Sequence, residues 1–372
     1  MNAPTSTAAA GTARSGALRE VLDQHRVVVC TGSGGVGKTT AAAVLALSAA
    51  RAGRRAVVVT IDPAKRLADA LGLGQLTNDA RVIDGDWPGD LSALMLDTKH
   101  TFDALVRRYA ATPDQAEGIL ANRFYRNIAG ALSGTQEYMA MEKLYELHDS
   151  GDFDVIVVDT PPTRNALDFI DAPNRLNRLL EHRLFRFVIA PTRAYLKAVN
   201  VAAQAFLKTI GRVVGTEVVR DVIAFFQAFE GMEEGFRIRS SAVLELLASD
   251  DTAFVLVASP RPDTVNEARY FGDQLSEAGI TVRALVVNRM HPSFGSSLSG
   301  ADRHRADSLT NTPLGALYQN LADFRTIAEV EESTIDPLVA VVAPAPVVRV
   351  PFLDDDVHDL AGLDRVAEHL LA

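Results

Sequence analysis

The chain has 372 residues, 48% of them hydrophobic, and a formal net charge of −10. This permits one large domain or two ordinary ones around a sizeable core, and it excludes wholesale disorder and a generally nucleic-acid-binding surface. The single cysteine, Cys30, excludes an intrachain disulfide, zinc cluster or iron–sulfur site and fits a cytoplasmic protein.

Residues 1–16 are rich in Ala, Thr, Ser and Gly and lack an apolar centre. They are expected to be a disordered tail rather than a signal peptide. The first expected strand is Arg26–Cys30, which runs into Gly32-Ser33-Gly34-Gly35-Val36-Gly37-Lys38-Thr39, followed by an Ala/Leu-rich helix from Thr40 to Ala52. Strand, glycine loop and helix together fit the pattern G-x-x-x-x-G-K-[ST], the P-loop. Its glycines allow backbone N–H groups to turn inward around phosphate oxygens, and the helix N-terminus adds partial positive charge. The expected phosphate ligands are Gly34, Gly35, Val36, Gly37, Lys38, Thr39 and Thr40. Lys38 adds a point charge near the β- and γ-phosphates, and the Thr39 hydroxyl suits Mg²⁺. Cys30 itself reads as a small buried hydrophobe.

A second strand, Ala56–Ile61, ends at Asp62-Pro63. A carboxylate there can orient or deprotonate an attacking water, so Asp62 joins Lys38 as a catalytic candidate. Helix N-capping ahead of Pro63 is the plainer role, and the two are compatible. A third strand, Val155–Val158, ends at Asp159, followed by Thr160-Pro161-Pro162-Thr163. This Walker B-like arrangement places Asp159 to hold Mg²⁺ directly or through water, and the loop beyond it can sense the γ-phosphate. Phe254–Ala258 and Arg283–Val287 complete the expected strands, apolar on both faces as in a parallel sheet. The alternation of strands and helices predicts an α/β P-loop fold with a mostly parallel central sheet flanked by helices, its ligand beyond the carboxyl ends of the strands.

Two stretches, about 97–148 and 174–247, show helical spacing instead. In the second, Val218, Val222, Phe225, Phe226 and Phe229 form one apolar stripe. Both read as a helical subdomain inserted into a core made of 17–96, 149–173 and 248–372. The segment 174–220 carries Arg175, Arg178, Arg183, Arg186, Arg193, Lys197, Lys208, Arg212 and Arg220 against Glu181 and Glu217. It is either a solvated helix face or a docking face for an acidic partner. Pro344, Pro346 and Pro351 are expected to break the C-terminal part into loops. No apolar run reaches the ~18–20 residues a membrane helix requires. Asn288, after the last strand, can hydrogen-bond an amino-purine edge or simply end the strand in a turn. The guanine-reading Asn-Lys-x-Asp string is absent, which favours ATP over GTP.

The string Gly34-Gly35-Val36-Gly37-Lys38-Thr39-Thr40 resembles the deviant Walker A loop of the dimeric ATPases that include the arsenite-pump and tail-anchored-protein targeting ATPases. Asp62-Pro63-Ala64, with Leu67 through Gly72, resembles their switch I. Asp159-Thr160-Pro161-Pro162-Thr163, with Leu167 and Pro173, resembles switch II, although the family's Gly-His is Arg164-Asn165 here. Val286-Val287-Asn288 and Val350-Pro351-Phe352-Leu353 resemble the segments that hold the adenine. The resemblance implies that Asn288, Pro351 and Phe352 contact the base. It also implies an ATP- and Mg²⁺-dependent dimer whose helical subdomain rearranges.

One departure stands out. The lysine that normally precedes the Gly-Gly pair and reaches the partner's phosphates is Ser33 here. A related subunit that keeps the lysine, in a heterodimer, would supply the missing charge; a homodimer would need Lys65, Arg66 or Arg164 to do so. Ser33 also leaves room for a nucleotide-binding scaffold with little turnover. A metalloid pump is not expected, because arsenite takes clustered thiolates. A partitioning or division-site ATPase fits less well, given the large helical insert and no obvious membrane-binding amphipathic helix at the C-terminus.

Overall fold

The computed structural model describes residues 16–62, 66–128, 135–161, 216–228, 231–295 and 299–372. The tail 1–15, Pro63 to Lys65, the switch II residues Pro162 to Pro173, Phe229 and most of the basic segment 174–220 lie outside the described residues.

Eight strands form one sheet: β1 (Val27–Thr31), β2 (Arg55–Thr60), β3 (Arg81–Ile83), β4 (Asp90–Met95), β5 (Val155–Asp159), β6 (Thr252–Ala258), β7 (Val282–Met290) and β8 (Val347–Pro351). Their spatial order is β3-β4-β2-β5-β1-β6-β7-β8. All neighbours are parallel except β3 and β4. β1, β5 and β6 are buried along their whole length, as apolar strands with both faces covered must be. The register aligns Cys30 with Asp159 and Thr60 with Asp159. The carboxyl ends of β1, β5 and β2 therefore finish side by side.

Three strands exceed the sequence expectation. In β4 the charged Asp90 and polar Ser92 interrupt the apolar run, yet Leu91 to Leu94 are buried. β3 is only Arg81–Ile83, too short to give a periodic signal. The proline-rich C-terminal stretch does not dissolve into loops. Val347–Pro351 pairs with β7, and its proline takes the last place in an edge strand, where a missing N–H is tolerated.

Helix α1 is Ala17–Gln24 and α2, Lys38–Arg51, follows the P-loop. Ala41, Ala42, Ala43, Ala46, Ala49 and Ala50 are buried along α2; small side chains let the helix lie close on the sheet. After α3 (Arg66–Ala70), the helical stretch 97–150 contains α4 (Thr98–Tyr109), α5 (Pro113–Ala121), α6 (Arg123–Ile128) and α7 (Thr135–Ser150). Next come α8 (Thr216–Ala228) and α9 (Glu233–Ala248), then α10 (Pro262–Glu277), α11 (Ser299–Ser308), α12 (Pro313–Val342) and α13 (Leu360–Leu370). α13 is amphipathic. Its apolar residues Leu363, Val366 and Leu370 belong to the core shared with α2.

The chain divides into two compact units. One comprises Met1–Met95, Ser150–Ala166 and Ala248–Ala372, and holds the sheet; the other comprises Leu96–Asp149 and Leu167–Leu247. The helical unit is organised by rings: Phe102 packs on Tyr125 at 5.3 Å and on Phe236 at 6.5 Å, and Phe225, from the apolar stripe, stacks on Tyr125 at 6.1 Å. A buried pair, Arg239 Nε to Glu142 Oε2 at 2.7 Å, crosses it, and Tyr138 donates to the other carboxylate oxygen at 2.6 Å.

Candidate nucleotide site

The site forms where β1, β2 and β5 end. Gly32 must be glycine because a Cβ there would lie 2.0 Å from the Val257 carbonyl oxygen on β6. Gly37 caps α2 in the left-handed region, φ 99°, which L side chains rarely adopt. Between them the exposed tip, Gly34-Gly35, leads to the buried Val36. Lys38 points back into the loop, and its Nζ donates to the Ser33 carbonyl at 2.7 Å. Burial pushes the Lys38 ammonium below its usual range, opposed by Asp159 and then Asp62, while Arg66 adds repulsion. Thr40 is half-buried in the first turn of α2.

Asp159 is only 1% exposed. Its Oδ2 accepts from Thr39 Oγ1 at 2.8 Å and from Thr60 Oγ1 at 2.9 Å. The Asp62 N–H donates to Thr60 Oγ1 at 3.3 Å. One hydrogen-bonded chain thus joins the P-loop, the end of β2 and the end of β5. Burial pushes the Asp159 carboxyl up to about 6, against the lowering effect of both threonine bonds and of Lys38. Its Oδ1 is buried and has no hydrogen-bond partner among the described residues. An orphaned carboxylate oxygen costs free energy unless something binds it. Beside a threonine hydroxyl, an oxygen-only donor set suits Mg²⁺ completed by phosphate and water. Thr160 ties the start of the next loop to β1 through its hydroxyl, 2.9 Å from the Cys30 carbonyl. Cys30 is fully buried, and burial with Asp159 alongside pushes its thiol far above its ordinary range, so it is inert.

The base-side candidates lie on β7 and β8. The Asn288 side chain does not project away from the loop: Nδ2 donates to the Val36 carbonyl at 2.8 Å. Pro351 ends β8, and Phe352, exposed, stacks on His291 with ring centres 5.9 Å apart. Two loop-contacting residues were missed by sequence reasoning. Thr60 carried a signal, a hydroxyl inside a buried strand that needs a partner. Arg289, whose Nη1 donates to the Gly35 carbonyl at 3.2 Å, carried none.

A glycine loop between strand and helix, a lysine folded into it, and a threonine hydrogen-bonded to the carboxylate ending the neighbouring strand define a P-loop nucleoside triphosphatase. Comparison with known proteins narrows this class. The family described as "Anion-transporting ATPase" matches residues 25–297. The chain is 28% identical over 282 residues to ATPase GET3 of Malassezia globosa, covering 75% of this chain and 78% of that protein. It is 27% identical over 293 residues to ATPase get3 of Aspergillus terreus, covering 77% and 81%. It is 30% identical over 305 residues to an uncharacterized protein of Streptomyces coelicolor, covering 81% and 69%. The chain belongs to the anion-transporting ATPase family and is an ATPase.

Proposed function

We propose that this ATPase binds ATP with Mg²⁺ at the P-loop and uses hydrolysis to switch a dimer between two conformations. The observation that carries the reading is the bonded chain Thr39–Asp159–Thr60–Asp62, with Asp159 Oδ1 open. Thr39 and Asp159 would hold the Mg²⁺, which when bound neutralises phosphate charge. Lys38 would exchange the Ser33 carbonyl for phosphate oxygens. Asp62, tethered through Thr60, would orient the attacking water. Pro351 and Phe352 are the base-side candidates.

Because Asp62 and Asp159 share one hydrogen-bonded chain, displacement at either loop is transmitted to the other. That supports a nucleotide-gated switch in which the helical unit (97–148 and 174–247) rearranges around the core (17–96, 149–173, 248–372). Ser33 supports a heterodimer with a related, lysine-bearing subunit, and the basic segment 174–220 is a docking face for an acidic partner in the same reading. The single cysteine supports the cytoplasm. Among the described residues no helix is long and apolar enough to cross a membrane. The low-turnover scaffold remains the second reading, favoured by Ser33.

The experiment is a pair of variants assayed for nucleotide-dependent thermal shift and turnover. Lys38→Ala loses most of the shift with ATP·Mg²⁺. Asp62→Asn keeps ATP affinity within several-fold and loses about 10²-fold or more of turnover. An Asp62→Asn variant turning over at the wild-type rate leaves Asp62 a structural residue only.

A further inference from the structure

The end of β7 lies across the outside of the P-loop, and its two side chains there hold consecutive peptide groups. Asn288 Nδ2 donates to the Val36 carbonyl at 2.8 Å, and Arg289 Nη1 donates to the Gly35 carbonyl at 3.2 Å. In a planar trans peptide the C=O and the following N–H point in opposite directions. Fixing the Gly35 carbonyl toward β7 therefore turns the Val36 N–H away from β7. Fixing the Val36 carbonyl does the same for the Gly37 N–H. We propose that Asn288 and Arg289 are positioning residues that clamp the outer side of the P-loop and so aim the Val36 and Gly37 N–H groups at the bound phosphates.

Three further features fit a built clamp. β7 and β8 pair in register up to Asn288 with Val350 and resume at Met290 with Pro351, so Arg289 is an extra residue bulged out of the ladder. Bulges re-aim side chains, often beside active sites. Arg289 also sits in the left-handed region, φ 65°, a conformation that costs a non-glycine residue free energy and persists only where surroundings enforce it. Its backbone N–H donates to Asn288 Oδ1 at 2.9 Å, which locks the amide orientation that leaves Nδ2 facing the loop. Finally, a Cβ on Gly37 would lie 2.2 Å from Asn288 Nδ2. The glycine that caps α2 is also what admits the amide.

The clamp rests on the P-loop being the phosphate site, as proposed above. It differs from a base-reading role in what it discriminates. A residue that orients cradle N–H groups affects every ligand carrying the same phosphates, whereas a base reader affects adenine alone. Calorimetric titration of the full chain with ATP, GTP and inorganic tripolyphosphate, each with Mg²⁺, separates the two. Arg289→Ala and Asn288→Ala should each weaken all three ligands in parallel, by about 3- to 10-fold, the loss expected from one hydrogen bond. Arg289→Lys, which keeps a donor, should recover most of the loss. Arg289 is exposed, so Arg289→Ala should melt within about 2 °C of wild type without ligand. Loss confined to ATP in Asn288→Ala, or an Arg289→Ala variant matching wild type on all three ligands, overturns the clamp. Lys38→Ala is the separate control: if it binds all three as wild type does, the phosphate site itself has been misplaced.

Discussion

Thr60 is the smallest group whose removal tests the whole site. Thr60→Val keeps the shape and deletes one hydroxyl, which donates to Asp159 Oδ2 at 2.9 Å and accepts the Asp62 N–H at 3.3 Å. A hydrogen bond to a buried charged group contributes about 1.5–3 kcal/mol, so the variant should lose roughly that much unfolding free energy at pH 7.5. The pH dependence is more specific. The Asp159 carboxyl is pushed up to about 6 in the folded protein from its ordinary 3.8, so the fold holds this proton more tightly than the unfolded chain does. Its contribution is therefore full at low pH and is lost as pH rises from roughly 4 to roughly 6, a difference of up to about 3 kcal/mol. Thr60 opposes that shift by bonding the ionised form. Without it the carboxyl should hold its proton more tightly, moving the upper end of the window to higher pH. Mg²⁺ would take the ionised carboxylate, so the Mg²⁺-dependent part of ATP binding should rise with pH, with its midpoint at higher pH in Thr60→Val than in wild type. Urea unfolding and ATP titration across pH 5–8, with and without Mg²⁺, read both quantities. A variant with unchanged unfolding free energy at pH 7.5 and an unchanged midpoint refutes the argument.

Gly32→Ala forces a Cβ to within 2.0 Å of the Val257 carbonyl oxygen; backbone must move, and a loss of about 2–4 kcal/mol by urea unfolding together with failure to bind ATP is expected. The isolated chain should hydrolyse ATP slowly and accelerate about 10-fold or more when a lysine-bearing paralogue from the same genome is added, because a cation supplied in trans can contribute ~10³-fold in P-loop enzymes. Fast steady-state turnover by the chain alone, insensitive to removal of Arg66 or Arg289, would count against the heterodimer.

The P-loop was legible because its chemistry needs particular residues at fixed spacing: glycines where φ is positive, then lysine and threonine at the helix start. The Asp159 strand was legible for a related reason, an apolar run that ends on one carboxylate. What stayed hidden depended on register. Thr60 meets Asp159 only because the two are aligned on neighbouring strands, which no local pattern records. β3 and β4 were missed because an edge strand can be short, and because Ser92 and Asp90 break the apolar run that marks a buried strand. Arg289 was invisible because a bulge sets its direction, and a bulge is a property of two strands together. α13 was passed over because its last turns look acidic, while its apolar face becomes clear only against the α2 residues it covers.

The structure also changes what Ser33 can mean. Its side chain is 5% exposed and its hydroxyl has no hydrogen-bond partner among the described residues. It is turned into the loop, and its carbonyl accepts Lys38. The Lys38 ammonium, pushed below its usual range by burial, donates to this one neutral oxygen. Phosphate would offer that ammonium charged acceptors, so in the proposed reading binding would exchange a weaker bond for charge-assisted ones. The Ser33 position therefore serves the lysine of its own loop. Any charge beyond Lys38 must come from outside the loop. Among the described residues, Arg289 holds the exposed tip at Gly35 and Arg66 is near enough to repel Lys38. Arg66 opens α3 and Arg289 lies near the end of β7, so neither is rooted at position 33. That is why adding a lysine-bearing subunit and deleting Arg66 or Arg289 are not redundant tests: the first asks whether the site is completed from across an interface, the second whether it is already complete.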